Sequence, residues 1–208
     1  MKYTINFAVA RSRREDYTEA TRRALLDSAA EAFVDRGFAD ASLDEIARAA
    51  RLTKGALYHH FAGKQDLFRA LFEEVEAEMI EAIRLAGAHE SDPWRRLLAG
   101  IGAFLDACLM PRYRRIALEE GPTALGWDLW RQIDEHYSLA LVRAPLAHLM
   151  RVGVLRRQPL DLMARVLLAA LIEAGMAVAA APDRPAARRE AEALLVELLT
   201  GFRVDATR

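Results

Sequence analysis

A chain of 208 residues that is 53% apolar holds one large domain or two small ones around a sizeable core, which excludes disorder throughout. A formal net charge of −1 supplies no global field for a polyanion, so any nucleic-acid binding has to come from a local basic patch. The lone cysteine, Cys108, excludes an internal disulfide and a cysteine-based metal site, and fits a reducing, cytoplasmic setting.

The opening MKYTINFAVA lacks the residue order of a signal peptide, and it is followed by Arg11, Arg13 and Arg14, a basic arm able to reach a DNA backbone or to stay solvated. From Tyr17 to Arg36, Leu25, Ala29, Ala32 and Phe33 fall at helical spacing, and Gly37-Phe38 supplies a C-terminal stop with a hydrophobic follower. Ser42 and Glu45 have capping-box spacing at the start of a short second helix. After a tight connection at Arg51-Leu52, Thr53 caps a third short helix that ends near Phe61. Lys64 to Arg84 forms a long fourth helix with Leu67, Leu71, Val75, Met79 and Ile83 as its stripe.

The third helix carries Gly55, Tyr58 and the adjacent His59-His60. At 100° per residue, Leu57 and Phe61 share one face, whereas Gly55 and His59 point away from it, flanked by Ala56 and Tyr58. His60 lies nearer the Leu57 face. Two sequential histidines project to different sides of a helix and lack i, i+4 ligand partners, so no metal site is expected. A small, polar and aromatic outer face is able to approach a groove closely. Spacing alone supports this reading and an ordinary packed helix pair equally.

The full pattern Ser42, Ile46-Ala47, Leu52-Thr53-Lys54-Gly55, Leu57-Tyr58, His60-Phe61, Lys64 and Leu67 closely resembles the DNA-binding signature of the TetR/AcrR family of bacterial transcription regulators, over about Thr18 to Phe72. The resemblance implies an all-α fold: an N-terminal helix-turn-helix whose third helix enters the major groove, and a C-terminal helical domain that dimerises and binds a small effector. It assigns DNA contacts to Ser42, Thr53, Lys54, Gly55, Tyr58, His59 and Lys64. One departure is Arg51, which occupies the family's turn glycine; a left-handed backbone there would cost arginine roughly 1 kcal/mol.

Asp92-Pro93 opens a helix with Trp94, Leu97, Leu98, Ile101, Leu105 and Cys108 inward, ended by Pro111. The next helical stretch breaks at Gly121-Pro122, and a long helix follows that Pro145 kinks or ends early. Its EEGPTALGWDLW phrase also resembles a segment recurring among TetR-like regulators. Trp94, Phe104, Trp127, Trp130, Tyr137, Met150 and Met176, with Cys108, form an aromatic and sulfur set able to line an effector pocket, with Glu173 and His136 as polar anchors. Each of them alone fits plain core.

The longest apolar run, Val166 to Ala181, reads as too short for a bilayer and carries Glu173 near its centre, so no membrane association is expected. Residues Asp161 to Ala181 and Pro185 to Phe202 form a last helix pair whose apolar arcs are too broad for one stripe, with Gly175 permitting close helix approach. A second copy covering the remaining face gives a two-fold dimer, which also suits a palindromic operator.

The organisation expected is therefore an N-terminal extension or basic arm at 1–16, a helix-turn-helix domain at 17–63, a connecting helix at 64–84, and an effector-binding and dimerisation domain at 85–208. The leading function is a homodimeric, sequence-specific repressor of the cytoplasm, released by a small, largely apolar effector. Rivals are a ligand-independent DNA-binding or interaction scaffold and a small helical enzyme using His136, Glu119, Glu120 or Cys108. No nucleophile–base or metal spacing is recognisable, so no catalytic residue and no cofactor are assigned.

Overall fold

A computed structural model describes residues 13–204, with side chains from Tyr17 onward. Its described residues are helical almost throughout: α1 (Arg13–Asp40), α2 (Leu43–Ala49), α3 (Lys54–His60), α4 (Lys64–Ala86), α5 (Pro93–Leu109), α6 (Pro111–Tyr113), a π-helical stretch (Arg114–Glu120), α7 (Gly121–Leu125), α8 (Trp127–Arg151), α9 (Leu160–Ala180) and α10 (Arg184–Thr200). An isolated antiparallel bridge between Leu155 and Arg203 ties the α8–α9 loop to the C-terminal tail. Of the basic arm, Arg11 lies outside the described residues, and Arg13 and Arg14 fall inside α1, which begins four positions ahead of Tyr17. The polar sequence there, RREDYTEA, contains no helix breaker.

The expected stop at Gly37 is real: its backbone leaves the helix at φ 79°, ψ 170°, and a short further turn runs to Asp40. Phe38 then folds back onto Phe33 and Phe68, with ring centroids 5.9 and 5.2 Å away. The capping box does not form. Ser42 makes no side-chain cap, and Glu45 is held instead by Arg36 at the end of α1, a charge-assisted bond that outcompetes a neutral N–H. Leu25, Ala29, Phe33, Ile46, Leu57 and Leu67 are buried together as the core of the first three helices and the start of α4.

Two further expectations are corrected by backbone geometry. The break foreseen at Gly121-Pro122 occurs at Gly126 (φ 81°, ψ 147°), because the chain stays helical through Gly121 and the widened π-helical turn just before it accommodates the proline ring. Trp130 packs on Gly121 so closely that a Cβ there would meet its ring at 2.8 Å, and its indole N–H donates to the Ala117 carbonyl at 2.9 Å. Pro145 does not end α8, which continues to Arg151. The proline nevertheless has no N–H for the Leu141 carbonyl, one turn earlier.

α9 also corrects an expectation. At 21 residues it is long and apolar enough to match a membrane-crossing helix by length and composition, yet half of its apolar window is buried in the fold. It packs against α5, α8 and α10, with Ala164, Leu168, Leu171 and Ile172 inward. Gly175 meets α5, where an added Cβ would lie 3.0 Å from the Phe104 ring and 3.1 Å from Cys108 Sγ. Its role is close packing within the protomer, not between two copies.

Candidate functional site

The first site is built on α3. Its N-terminus is set by Thr53, whose hydroxyl accepts the Ala56 N–H at 3.1 Å. Its orientation is set by the turn before it: the Arg51 N–H donates to the Arg48 carbonyl and the Leu52 N–H to the Ala47 carbonyl, at 3.0 and 2.8 Å, with Arg51 at φ 58°. This is the Schellman arrangement, which ends α2 with one left-handed residue. Arginine has kept the glycine-type conformation and carries its steric cost, and its side chain is exposed.

Leu57 and Phe61 are buried, whereas Thr53, Lys54, Gly55, Tyr58 and His59 face solvent, and Ser42 at the start of α2 is half-buried. His60 is half-buried, and burial, with a smaller push from His59 and Arg22, holds its imidazole below the ordinary range. Lys54 pairs with Asp44 at 2.8 Å, and that bond raises its ammonium above the usual lysine value. Among the described residues no three His, Cys, Asp or Glu side chains gather into a metal-binding group.

Lys64 is employed differently from the phosphate contact expected of it. Its ammonium donates to the carbonyls of Ala39 and Ala41 at 2.8 and 2.9 Å and lies over the Phe38 ring at 4.8 Å. It fastens the start of α4 to the α1–α2 turn. No local pattern signals this, because the partners are backbone carbonyls more than twenty positions away.

The second site is a cavity of about 630 Å³, open on one side to solvent and lined by α4, α5, α8 and α9. Met79, Ile83, Ile101, Phe104, Val142 and Leu171 supply its apolar wall, with Asp134, Ser138, His148 and the exposed Arg84 and Arg96 as polar members. Of the residues expected to line a pocket, Phe104 alone is on this wall. Trp94 is buried beneath Arg203, whose guanidinium lies 4.8 Å from its ring, and Cys108 donates to the Phe104 carbonyl at 3.2 Å. Trp130 is committed to Ala117, Trp127 and His136 line a separate open groove on the α8 surface, and Glu173 faces solvent. Tyr137, Met150 and Met176 are half-buried outside the lining. The reason lies in helix phase: Asp134, Ser138, Leu141, Val142 and Pro145 share one face of α8, and His136 projects from the opposite one.

Behind Asp134 lies a second buried acid, Glu76 of α4, hydrogen-bonded to the Tyr113 hydroxyl. Burial first, and then the Asp134 charge, push the Glu76 carboxyl up to about 8, while burial pushes Asp134 up to about 6. At neutral pH Glu76 keeps its proton and Asp134 is ionised. Of the groups considered for an enzyme, Glu119 binds Arg114 and Arg115, Glu120 binds Arg115 at 3.1 Å, burial pushes the Cys108 thiol up to about 12, and His136 stands apart from them, exposed on α8.

Comparison with known proteins bears on both sites. Residues 25–71 match the model of bacterial regulatory proteins of the tetR family, and residues 94–202 match a tetracyclin repressor-like C-terminal domain. A TetR-family transcriptional regulator from Pectobacterium atrosepticum superposes with a TM-score of 0.81 at 32% identity, over 94% of this chain and 99% of that one. The transposon Tn10 TetC protein of Escherichia coli is 27% identical over 76% of this chain and 79% of its own length. The transcriptional activator FasR of Mycolicibacterium smegmatis is 39% identical, over 41% of this chain and 39% of its own.

Proposed function

Because this chain belongs to the TetR family and is a helix-turn-helix DNA-binding regulator of transcription, we propose that it acts as a homodimer on a palindromic operator and is released by a small effector held in the α4–α5–α8–α9 cavity. The carrying observation is the α3 surface, an exposed face of Thr53, Lys54, Gly55, Tyr58 and His59 held at fixed orientation by a capped start and a Schellman turn. Tyr58 and Lys54 serve phosphates, Gly55 allows close approach, and His59 faces base edges. Ser42 contributes a backbone contact from the start of α2. Lys64 acts indirectly, by fixing the helix-turn-helix to α4. The working units are 17–63 for DNA, 64–84 as connector and 85–208 for effector and dimer, in a cytoplasmic protein.

Dimerisation is supported by apolar side chains left outside. Leu162 and Val166 on α9 and Leu194 and Leu198 on α10 are each more than half exposed, at one-turn spacing on their helices. A stripe of that kind suits a four-helix contact with a second copy. One short recognition helix buries too little surface for specific binding, and two copies read half-sites about 34 Å apart.

Effector control is supported by α4, which reaches both sites: Lys64 grips the helix-turn-helix, and Met79 and Ile83 line the cavity. A ligand that displaces this helix changes the separation of the two α3 surfaces, and by linkage operator DNA weakens ligand binding by the same factor. Selection of bound sequences from random duplex DNA tests the reading directly. An enriched inverted repeat with half-sites one helical turn apart is the expected result, and a pool with no enriched palindrome overturns it.

A further inference from the structure

The cavity wall carries a buried carboxylate with which no cation forms an ion pair. Asp134 is 6% exposed, lines the cavity, and its Oδ2 meets no hydrogen-bond partner. Arg131, one turn earlier on α8, favours the Asp134 charge through its own, but its guanidinium is paired with Glu135 at 3.4 Å and not with Asp134. The arginines that line the cavity, Arg84 and Arg96, are exposed, and they are bound to Glu81 and to the Glu90 carbonyl. His148 is bound to Arg151. α4 faces Asp134 with Glu76 and α6 with Tyr113, neither of them a cation.

A second acceptor lies on the same wall. Leu141 and Pro145 both line the cavity, and the proline leaves the Leu141 carbonyl without its usual intrahelical donor. Ser138 lies between these two acceptors on the same face of α8. A buried carboxylate and a freed carbonyl are costly without donors. Apart from Arg84, Arg96 and His148, the rest of the wall is apolar.

We propose that the cavity binds a cationic amphiphile, an organic ammonium whose N–H groups donate to Asp134 and the Leu141 carbonyl while its hydrocarbon body fills the space between Met79, Phe104 and Leu171. This rests on the reading of the cavity as the effector site and names the effector's chemical class. A carboxylate of the same shape is repelled by Asp134, and an alcohol supplies one donor without the charge.

The test uses decylammonium, decanol and decanoate, of matched chain length and below their micellar concentrations, titrated calorimetrically into the full-length protein at pH 7.5. The expected order is decylammonium at least about tenfold tighter than decanol, a gap of about 1.4 kcal/mol, with decanoate weakest. Asp134→Asn, close in volume, brings decylammonium and decanol to near equality. The wild-type order decides the matter if that variant does not fold. Equal binding of ammonium and alcohol, a preference for decanoate, no binding of any of the three, or a preference surviving in Asp134→Asn overturns the proposal. Operator retention is measured in the same samples. Asp134-dependent ammonium binding that leaves DNA bound overturns effector release and keeps the site, whereas release by decanol and decylammonium alike does the reverse.

Discussion

Glu120 Oε2 accepts the backbone N–H of Phe38 at 3.2 Å across 82 positions of sequence. Beside this bond, Gln65 donates from its side-chain amide to the Ala124 carbonyl at 2.9 Å. The first bond fastens the end of α1 to the π-helical stretch and the second fastens the start of α4 to α7, so the DNA-facing unit is held to the C-terminal body at a point other than the length of α4. Gly37 allows the approach: its φ 79°, ψ 170° is a glycine region, and an added Cβ would lie 2.6 Å from Glu120 Oε1.

Gly37→Ala is therefore expected to lower unfolding stability by about 1–3 kcal/mol, the range for a non-glycine residue forced into such a conformation. Glu120→Ala, which removes the acceptor and leaves the backbone intact, should lose about 1 kcal/mol. Urea unfolding of both variants measures the two costs. An unchanged midpoint for Gly37→Ala would contradict the geometry assigned to this junction.

Arg51→Gly separates folding from binding. Relief of the left-handed arginine at φ 58° should raise stability by up to about 1 kcal/mol. If the exposed guanidinium also meets a phosphate, DNA affinity falls and the salt slope of binding drops by about one. Thermal melts and binding titrations at several salt concentrations read the two effects independently. A less stable Arg51→Gly protein would count against the strain assigned to this turn.

On the α3 surface, Lys54→Ala and Tyr58→Ala should weaken binding to every duplex, with a smaller salt slope for Lys54→Ala, while His59→Ala changes the order of preference among operator variants. Lys64→Ala should behave as a structural change, lowering the melting temperature and all DNA affinities together without removing a salt-dependent contact. Titrations over a panel of operators distinguish these patterns. Equal loss on all operators for His59→Ala would remove its base-facing role.

The Glu76 carboxyl makes stability depend on pH. Its folded value of about 8 lies above the ordinary 4.5, so the native state holds a proton that the unfolded chain releases. The resulting stabilisation is full below about pH 4.5 and is lost as pH rises to about 8, at roughly 1.4 kcal/mol per unit. Asp134, raised to about 6, adds the same sign below that pH. Glu76→Gln cannot ionise and should give a flat profile between pH 6 and 8 where the wild type declines. Unfolding free energies at pH 6, 7 and 8 check this, and parallel profiles would contradict it.

For the exposed stripe, Leu194→Glu combined with Leu198→Glu should convert a dimer to monomers that keep their helical content. Sedimentation gives the mass and circular dichroism the fold. A double variant that stays dimeric would move the contact away from α10.

Most of the helices and the outer face of α3 were legible in the sequence, because they follow from local periodicity and from the Thr53 and Asp92 caps. Leu57 and Phe61 inward, and Gly55 and His59 outward, need only 100° per residue, and the stop at Gly37 needs only a residue free to leave the helix. The left-handed turn at Arg51 was legible only through its resemblance to a pattern with glycine there. Tertiary structure alone decided the rest. Lys64 was drawn from the DNA side to two carbonyls, and Glu45 from a capping box to Arg36, because groups distant in sequence offered stronger partners. The cavity wall was decided by the rotation of α8 against α4 and α9, which turned Asp134 inward and left Trp127 and His136 in solvent. Aromatic content along a chain marks material for a core. Only the packing of four helices selects which of those side chains surround an empty space and which merely fill one.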